Sequence, residues 1–137
     1  MHQILIADDD LATRSLFARV LTRDGYCVET VDDGNTAVEK VAAVMPDLLI
    51  TDLFMPGLNG WSVFSRVRRL APQLPILIIS GASTATPPDA AILPHHAVFL
   101  RKPVAMDQVR TTVARLLAER PVGGASGGDA PVGIYGT

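Results

Sequence analysis

Cysteine is almost absent from this 137-residue chain; Cys27 stands alone, which excludes a disulfide framework and any zinc site built on several thiolates. No apolar run approaches the roughly 20 residues that a membrane-spanning helix needs, and the N-terminus shows no signal-peptide pattern. Neither sign of charge dominates. The 14 acidic and 12 basic side chains leave a formal net charge of -2, without the basic excess of a general nucleic-acid binder. Lysine is scarce as well: Lys40 and Lys102 stand against ten arginines, so a lysine at a special position is not what composition alone would supply. What is plentiful is apolar surface. With 48% hydrophobic and 19% charged residues, disorder over most of the chain is excluded, and the length suits one domain with a single core. The expectation is a soluble, cytoplasmic, single-domain protein that binds neither membrane nor nucleic acid directly.

One shift of composition divides the chain. Residues 121–137 hold 6 of the 11 glycines and a single charged residue, Asp129, too little apolar surface to offset the entropy of ordering. The expected folded domain is therefore residues 1–120, with 121–137 a Gly/Pro-rich flexible tail or linker. Inside the domain, short apolar runs alternate with helical periodicity. Residues 3–7, 26–31, 48–51, 75–80 and 97–100 read as five strands. Leu16, Phe17, Val20 and Leu21 mark a first helix, with Arg14, Arg19 and Arg23 placed to face water. Ala37, Val38 and Val41 mark a second, stopped by Pro46. Val63, Phe64, Val67 and Leu70 mark a third, and Val109, Val113, Leu116 and Leu117 the inner face of the last. Strands separated by single helices require right-handed parallel crossovers, hence an α/β sheet covered on both faces. Ligands of such sheets bind beyond the carboxyl ends of the strands.

The residues just past the strands therefore matter most. Asp8, Asp9 and Asp10 follow the first strand, and Asp52 follows the third. Ser80 ends the fourth, and Lys102-Pro103 comes just after the fifth. Carboxylates gathered at one edge repel each other unless a cation sits among them, and a hard divalent ion with oxygen ligands, magnesium above all, fits. A hydroxyl and an ammonium beside them are donors suited to phosphoryl oxygens. The set has the parts needed for in-line attack of a carboxylate on phosphorus, with the spreading charge held by metal and donors.

The run Ile6-Ala7-Asp8-Asp9, the block Asp52-x-x-Met55-Pro56-x-x-Asn59-Gly60, Ser80 and Lys102-Pro103 together resemble the receiver domain of two-component response regulators. The resemblance spans Ile4 to about Glu119 and rests on the order and spacing of all four marks. It implies a doubly wound five-stranded parallel sheet of order 2-1-3-4-5, with helices on both faces. It implies Asp52 as phosphoacceptor and a magnesium ion held by Asp9, by Asp8 through water, by Asp52 and by the backbone carbonyl of Phe54. Ser80 and Lys102 would bind phosphoryl oxygens, Lys102 aimed by a cis peptide to Pro103. Ser80 and Phe99 would form the switch relay to the outer surface. A histidine kinase or phosphotransfer protein would be the donor, and an effector protein or a second copy the output partner. Such a domain is not an enzyme beyond its own phosphorylation and dephosphorylation.

Blander readings attach to several of these residues. Asp10 suits a helix N-cap. The pair His95-His96 has no third ligand nearby in sequence and reads as exposed loop. Arg66, Arg68 and Arg69 read as a solvated helix face, and Trp61 as packing at the start of the third helix. Two other functions fit parts of the pattern. A haloacid-dehalogenase-type phosphohydrolase also uses aspartate, magnesium, a hydroxyl and lysine, but Ala12 stands where it needs Thr or Val, and its downstream acidic motif is missing. A receiver-like interaction module without phosphate has no reason to keep the full acidic set and Lys102. A dinucleotide-binding unit fails for lack of a glycine-rich turn after the first strand. One departure from the receiver pattern is visible: Pro87, Pro88 and Pro94 leave room for only a shortened fourth helix, between the fourth and fifth strands. Whether the domain stands alone or belongs to a longer regulator stays open.

Overall fold

The computed structural model describes residues 1–53, 55, 60–81 and 96–119. Its elements run β1 (Gln3–Ala7), α1 (Leu11–Arg23), β2 (Cys27–Val31), α2 (Gly34–Val44), β3 (Leu48–Thr51), α3 (Gly60–Leu70), β4 (Ile76–Ser80), β5 (Ala97–Arg101) and α4 (Met106–Glu119). The strands form one sheet of order β2-β1-β3-β4-β5, with every pairing parallel. That is the doubly wound order the resemblance implied. The shortened helix expected between the fourth and fifth strands falls on residues 82–95, outside the described residues, as does the tail from 121 onward.

Strand alternation sorts the core into two layers. Leu5, Ala7, Leu49, Ile76, Ile78 and Ala97 point to one face, where they meet Ala37 and Val41 of α2 and Val63, Phe64 and Val67 of α3. Ile4, Ile6, Leu48, Ile50, Leu77, Ile79 and Val98 point to the other, against Phe17 and Leu21 of α1 and Val109, Val113, Leu116 and Leu117 of α4. The three inner strands are apolar on both faces because helices cover both. The edge strand β2 is buried fully only at Val31.

Helix boundaries follow local chemistry. The carboxylate of Asp10 accepts from the backbone N–H of Thr13 and caps α1, and Asp33 does the same for α2 through Thr36. Met45 ends α2 in the left-handed region at φ 45°. Two helical positions depart from the expected inner faces. Leu16 is 42% exposed and Leu70 45% exposed. On α1 the buried stripe runs through Phe17 and Leu21, four apart, and Leu16 lies a helical step to its side. Beyond α3, Ala71 and Leu74 fill the space under the sheet in place of Leu70.

Candidate functional site

Parallel strands end together, so the residues that follow them share one edge. Asp8 and Asp52 each come one residue after a strand, and the sheet extends its hydrogen bonds to both: Asp8 N donates to Val31 O at 3.1 Å and Asp52 N to Ala7 O at 3.0 Å. Lys102 follows β5, and its N–H donates to Ser80 O at 3.0 Å. These bonds fix three backbones, and the side chains meet between them. Lys102 Nζ lies 2.9 Å from Asp52 Oδ2 and 3.4 Å from Asp8 Oδ2. The Lys102–Pro103 peptide is cis, as the resemblance implied.

Both carboxylates are largely withdrawn from water, Asp8 at 3% and Asp52 at 8% exposure. Burial holds the Asp8 carboxyl above the usual carboxylate range, and the charge of Asp52 adds to it. The backbone N–H of Asp10, 2.9 Å from Asp8 Oδ1, and the Lys102 ammonium oppose that shift. For Lys102, burial pulls the ammonium down, but the hydrogen bond and charge of Asp52, with Asp8 behind it, outweigh burial and raise it. The lysine is therefore firmly protonated. It supplies the one positive charge that two buried like charges need.

Ser80 is fully buried at the end of β4. Asp9 projects at the rim, exposed, one residue from Asp8. Phe54, the proposed carbonyl ligand, lies outside the described residues. Among the described residues no three carboxylate, imidazole or thiolate groups converge as a metal cluster. The donor chemistry nevertheless fits a hard cation, because Asp8 and Asp52 are desolvated carboxylates facing one ammonium, with Asp9 adjacent.

Three side chains behave otherwise than the sequence suggested. Arg14, expected in water, is half-buried, and its Nη1 donates to the backbone carbonyl of Asp8 at 2.8 Å, so α1 anchors the acidic turn. Arg68, expected on a solvated face, folds onto the carbonyls of Ala71, Pro72 and Leu74. His96, expected in exposed loop, is 2% exposed, and its carbonyl accepts from Ile76 N at 2.8 Å. It borders a sheet strand, and that pairing draws it inside. Thr51 was not singled out; its buried hydroxyl donates to the Asp52 carbonyl at 2.9 Å. None of these had a signal in the sequence: Arg14 and Arg68 turn onto backbone carbonyls, His96 is drawn in by pairing with β4, and the Thr51 hydroxyl is buried with its strand.

A doubly wound parallel sheet with buried aspartates beyond its central strands, met by a lysine that follows its edge strand β5, defines a flavodoxin-like site of the phosphoryl-handling kind. Residues 4–114 match the response regulator receiver domain family, and the chain belongs to it. The response regulators MprA of Mycobacterium ulcerans and Mycobacterium leprae are 34% and 35% identical to it over 115 residues, 84% of this chain and 50% of each relative. The chain thus spans about half the length of the curated relatives it matches. Among solved structures, a response regulator receiver protein from Sinorhizobium medicae is 30% identical with a TM-score of 0.78, covering 88% of this chain and 97% of its own. The response regulator TrrA of Thermotoga maritima, solved in complex with Mg(2+)-BeF, is 26% identical with a TM-score of 0.76, covering 85% of this chain and 99% of its own. The matched residues are therefore a receiver domain, a signalling domain of two-component systems, in a family typified by phosphoaspartate and magnesium. Among the described residues no helix is long and apolar enough to cross a membrane.

Proposed function

We propose that Asp52 accepts a phosphoryl group from the phosphohistidine of a histidine kinase or phosphotransfer protein, and that the modified domain then binds an effector or a second copy of itself in the cytoplasm. The observation that carries this reading is the Lys102 ammonium, 2.9 Å from Asp52 and 3.4 Å from Asp8 at a buried strand edge. Asp52 Oδ attacks phosphorus in line, and the donor imidazole leaves. Lys102, already at Asp52, pairs with one phosphoryl oxygen, and the Ser80 hydroxyl swings in to donate to another, so the negative charge added at Asp52 is met by both. Arg14 holds the Asp8 carbonyl, and the Asp10 N–H holds Oδ1, so the acidic turn is rigid before the donor arrives. Asp8, Asp9, Asp52 and the Phe54 carbonyl would hold magnesium. When bound, the ion neutralises carboxylate repulsion and polarises the phosphoryl oxygens. That the Thermotoga relative was solved with Mg(2+)-BeF supports magnesium as the ion.

Residues 1–120 act as the receiver unit, and residues 121–137 as a tail or linker. The test is incubation with a small phosphodonor and magnesium, followed by intact mass. One phosphate's mass should be added, Asp52→Asn should remove the addition, and chelation of magnesium should suppress it. Full labelling of Asp52→Asn would overturn the assignment.

A further inference from the structure

Three aromatic side chains on one face of the sheet, Phe99, Trp61 and Phe64, form a line. Phe99 on β5 stacks on Trp61 in the first turn of α3, with ring centroids 6.5 Å apart and planes 17° from parallel. Trp61 meets Phe64 edge-on at 6.0 Å and 83°. Phe64 lies under the Arg68 guanidinium, 5.6 Å from the ring centroid, and that guanidinium is tied to the turn after α3. The line is thus anchored at one end and finishes on β5 at the other. Ile78 is in register with Phe99 and Ser80 with Arg101, so Ser80 and Phe99 project from the same face of the sheet. Trp61 and Phe99 are only partly buried, packed against the α2–α3 layer of the core.

The geometry points to Trp61 as a clamp on the switch: its indole holds Phe99 against α3, and Phe99 can follow Ser80 toward a phosphoryl group only by breaking that stack. This rests on the receiver reading above, with Phe99 as the moving ring. The stack exists in one of two conformations, so it biases the population toward that one, and deleting it shifts the balance toward the other. An aromatic pair of this geometry is worth about two- to tenfold in such an equilibrium. Trp61 is a positioning residue, since it touches neither Asp52 nor Lys102 in any described contact.

The chain's single tryptophan makes the clamp directly readable. On complete labelling, judged by mass, the emission of Trp61 should shift as Phe99 leaves it, and Phe99→Leu should show that shifted emission without phosphate. Trp61→Leu, which keeps apolar bulk but no ring, should label about two- to tenfold faster with a small phosphodonor, and Trp61→Phe should label at the wild-type rate. A residue that merely filled the core would leave the rate and the ring dependence unmoved. Unchanged emission at full labelling would overturn the clamp and leave the phosphoacceptor reading standing, and this arm needs no variant that might fail to fold. Wild-type labelling by a folded Trp61→Leu would also overturn it. Absence of any added phosphate in the wild-type chain would overturn the phosphoacceptor reading itself, and the clamp with it.

Discussion

Replacing Arg68 by methionine should cost far more than the same change at its neighbours on α3. Nη1 of Arg68 has two hydrogens and three carbonyl acceptors, those of Ala71, Pro72 and Leu74 at 3.2, 2.9 and 2.8 Å, so one bond is shared. Ala71 and Leu74 are buried, and Pro72 is exposed. Removing the donor leaves the Leu74 carbonyl to find another partner, at about 1.5–3 kcal/mol for a charge-assisted bond, while the Ala71 carbonyl keeps the Leu74 N–H at 3.1 Å and the Pro72 carbonyl returns to water. The contact over Phe64 adds about 1 kcal/mol. Against this stands the cost of burying the guanidinium, which draws Arg68 down to about 10 and leaves it charged near neutrality. Nε and Nη2 are also buried without hydrogen-bond partners among the described residues. The balance is a net loss of about 1–3 kcal/mol for Arg68→Met. Arg66 and Arg69 are exposed, and the same change there should stay within about 0.5 kcal/mol. Arg68→Lys should fall between, because a point charge cannot span three carbonyls. Urea unfolding of the four variants, with slopes compared to confirm a common unfolded state, provides the measurement. An Arg68→Met midpoint indistinguishable from that of Arg66→Met would refute the reasoning.

Met45→Gly should stabilise the fold by about 0.5–1 kcal/mol, because φ 45° is costly for any residue with a Cβ and Met45 is half exposed; Met45→Ala keeps the strain, loses packing, and should not gain. Thermal unfolding decides, and no gain for glycine would contradict it. Asp10, Asp24 and Asp33 are held below the usual carboxylate range by bonds from the Thr13 hydroxyl, the Arg110 guanidinium and the Thr36 N–H. The unfolded chain then binds protons first, so their stabilisation is full above the ordinary carboxylate pKa and is lost as pH falls through the folded values. Asp33→Asn should flatten that acid limb, and an unchanged pH profile would remove the account. Phe54 and Ala82, two residues beyond Asp52 and Ser80, have no side-chain group to orient a hydrolytic water, so the phosphorylated form should be long-lived. Phe54→Asn with Ala82→Glu should speed loss of the label; an equal decay rate counts against the proposal.

Much of the fold was legible because its signals are local. Five apolar runs separated by helical periodicity specify alternating strands and helices, and the crossover rule makes the strands parallel. With parallel strands, Asp8, Asp52, Ser80 and Lys102 fall at one edge by their positions in the chain alone. Alternation could not rank the strands; the order β2-β1-β3-β4-β5 came through family resemblance and is realised in the sheet. The tertiary structure decided where long or amphipathic side chains end. Lys102 reaches carboxylates 50 and 94 residues away, Arg14 turns back to the Asp8 carbonyl, and Arg68 closes over the turn that follows its own helix. His96 is inside and Leu16 and Leu70 are outside, against the simplest reading of each. Periodicity tells which face of an element is apolar, since that depends on neighbours three or four residues away. The partners of Lys102, and of a ring such as Phe99 stacked on Trp61, are supplied by distant segments and exist only once the sheet has closed, whereas Arg14 and Arg68 choose among backbone carbonyls a few residues away that periodicity does not rank.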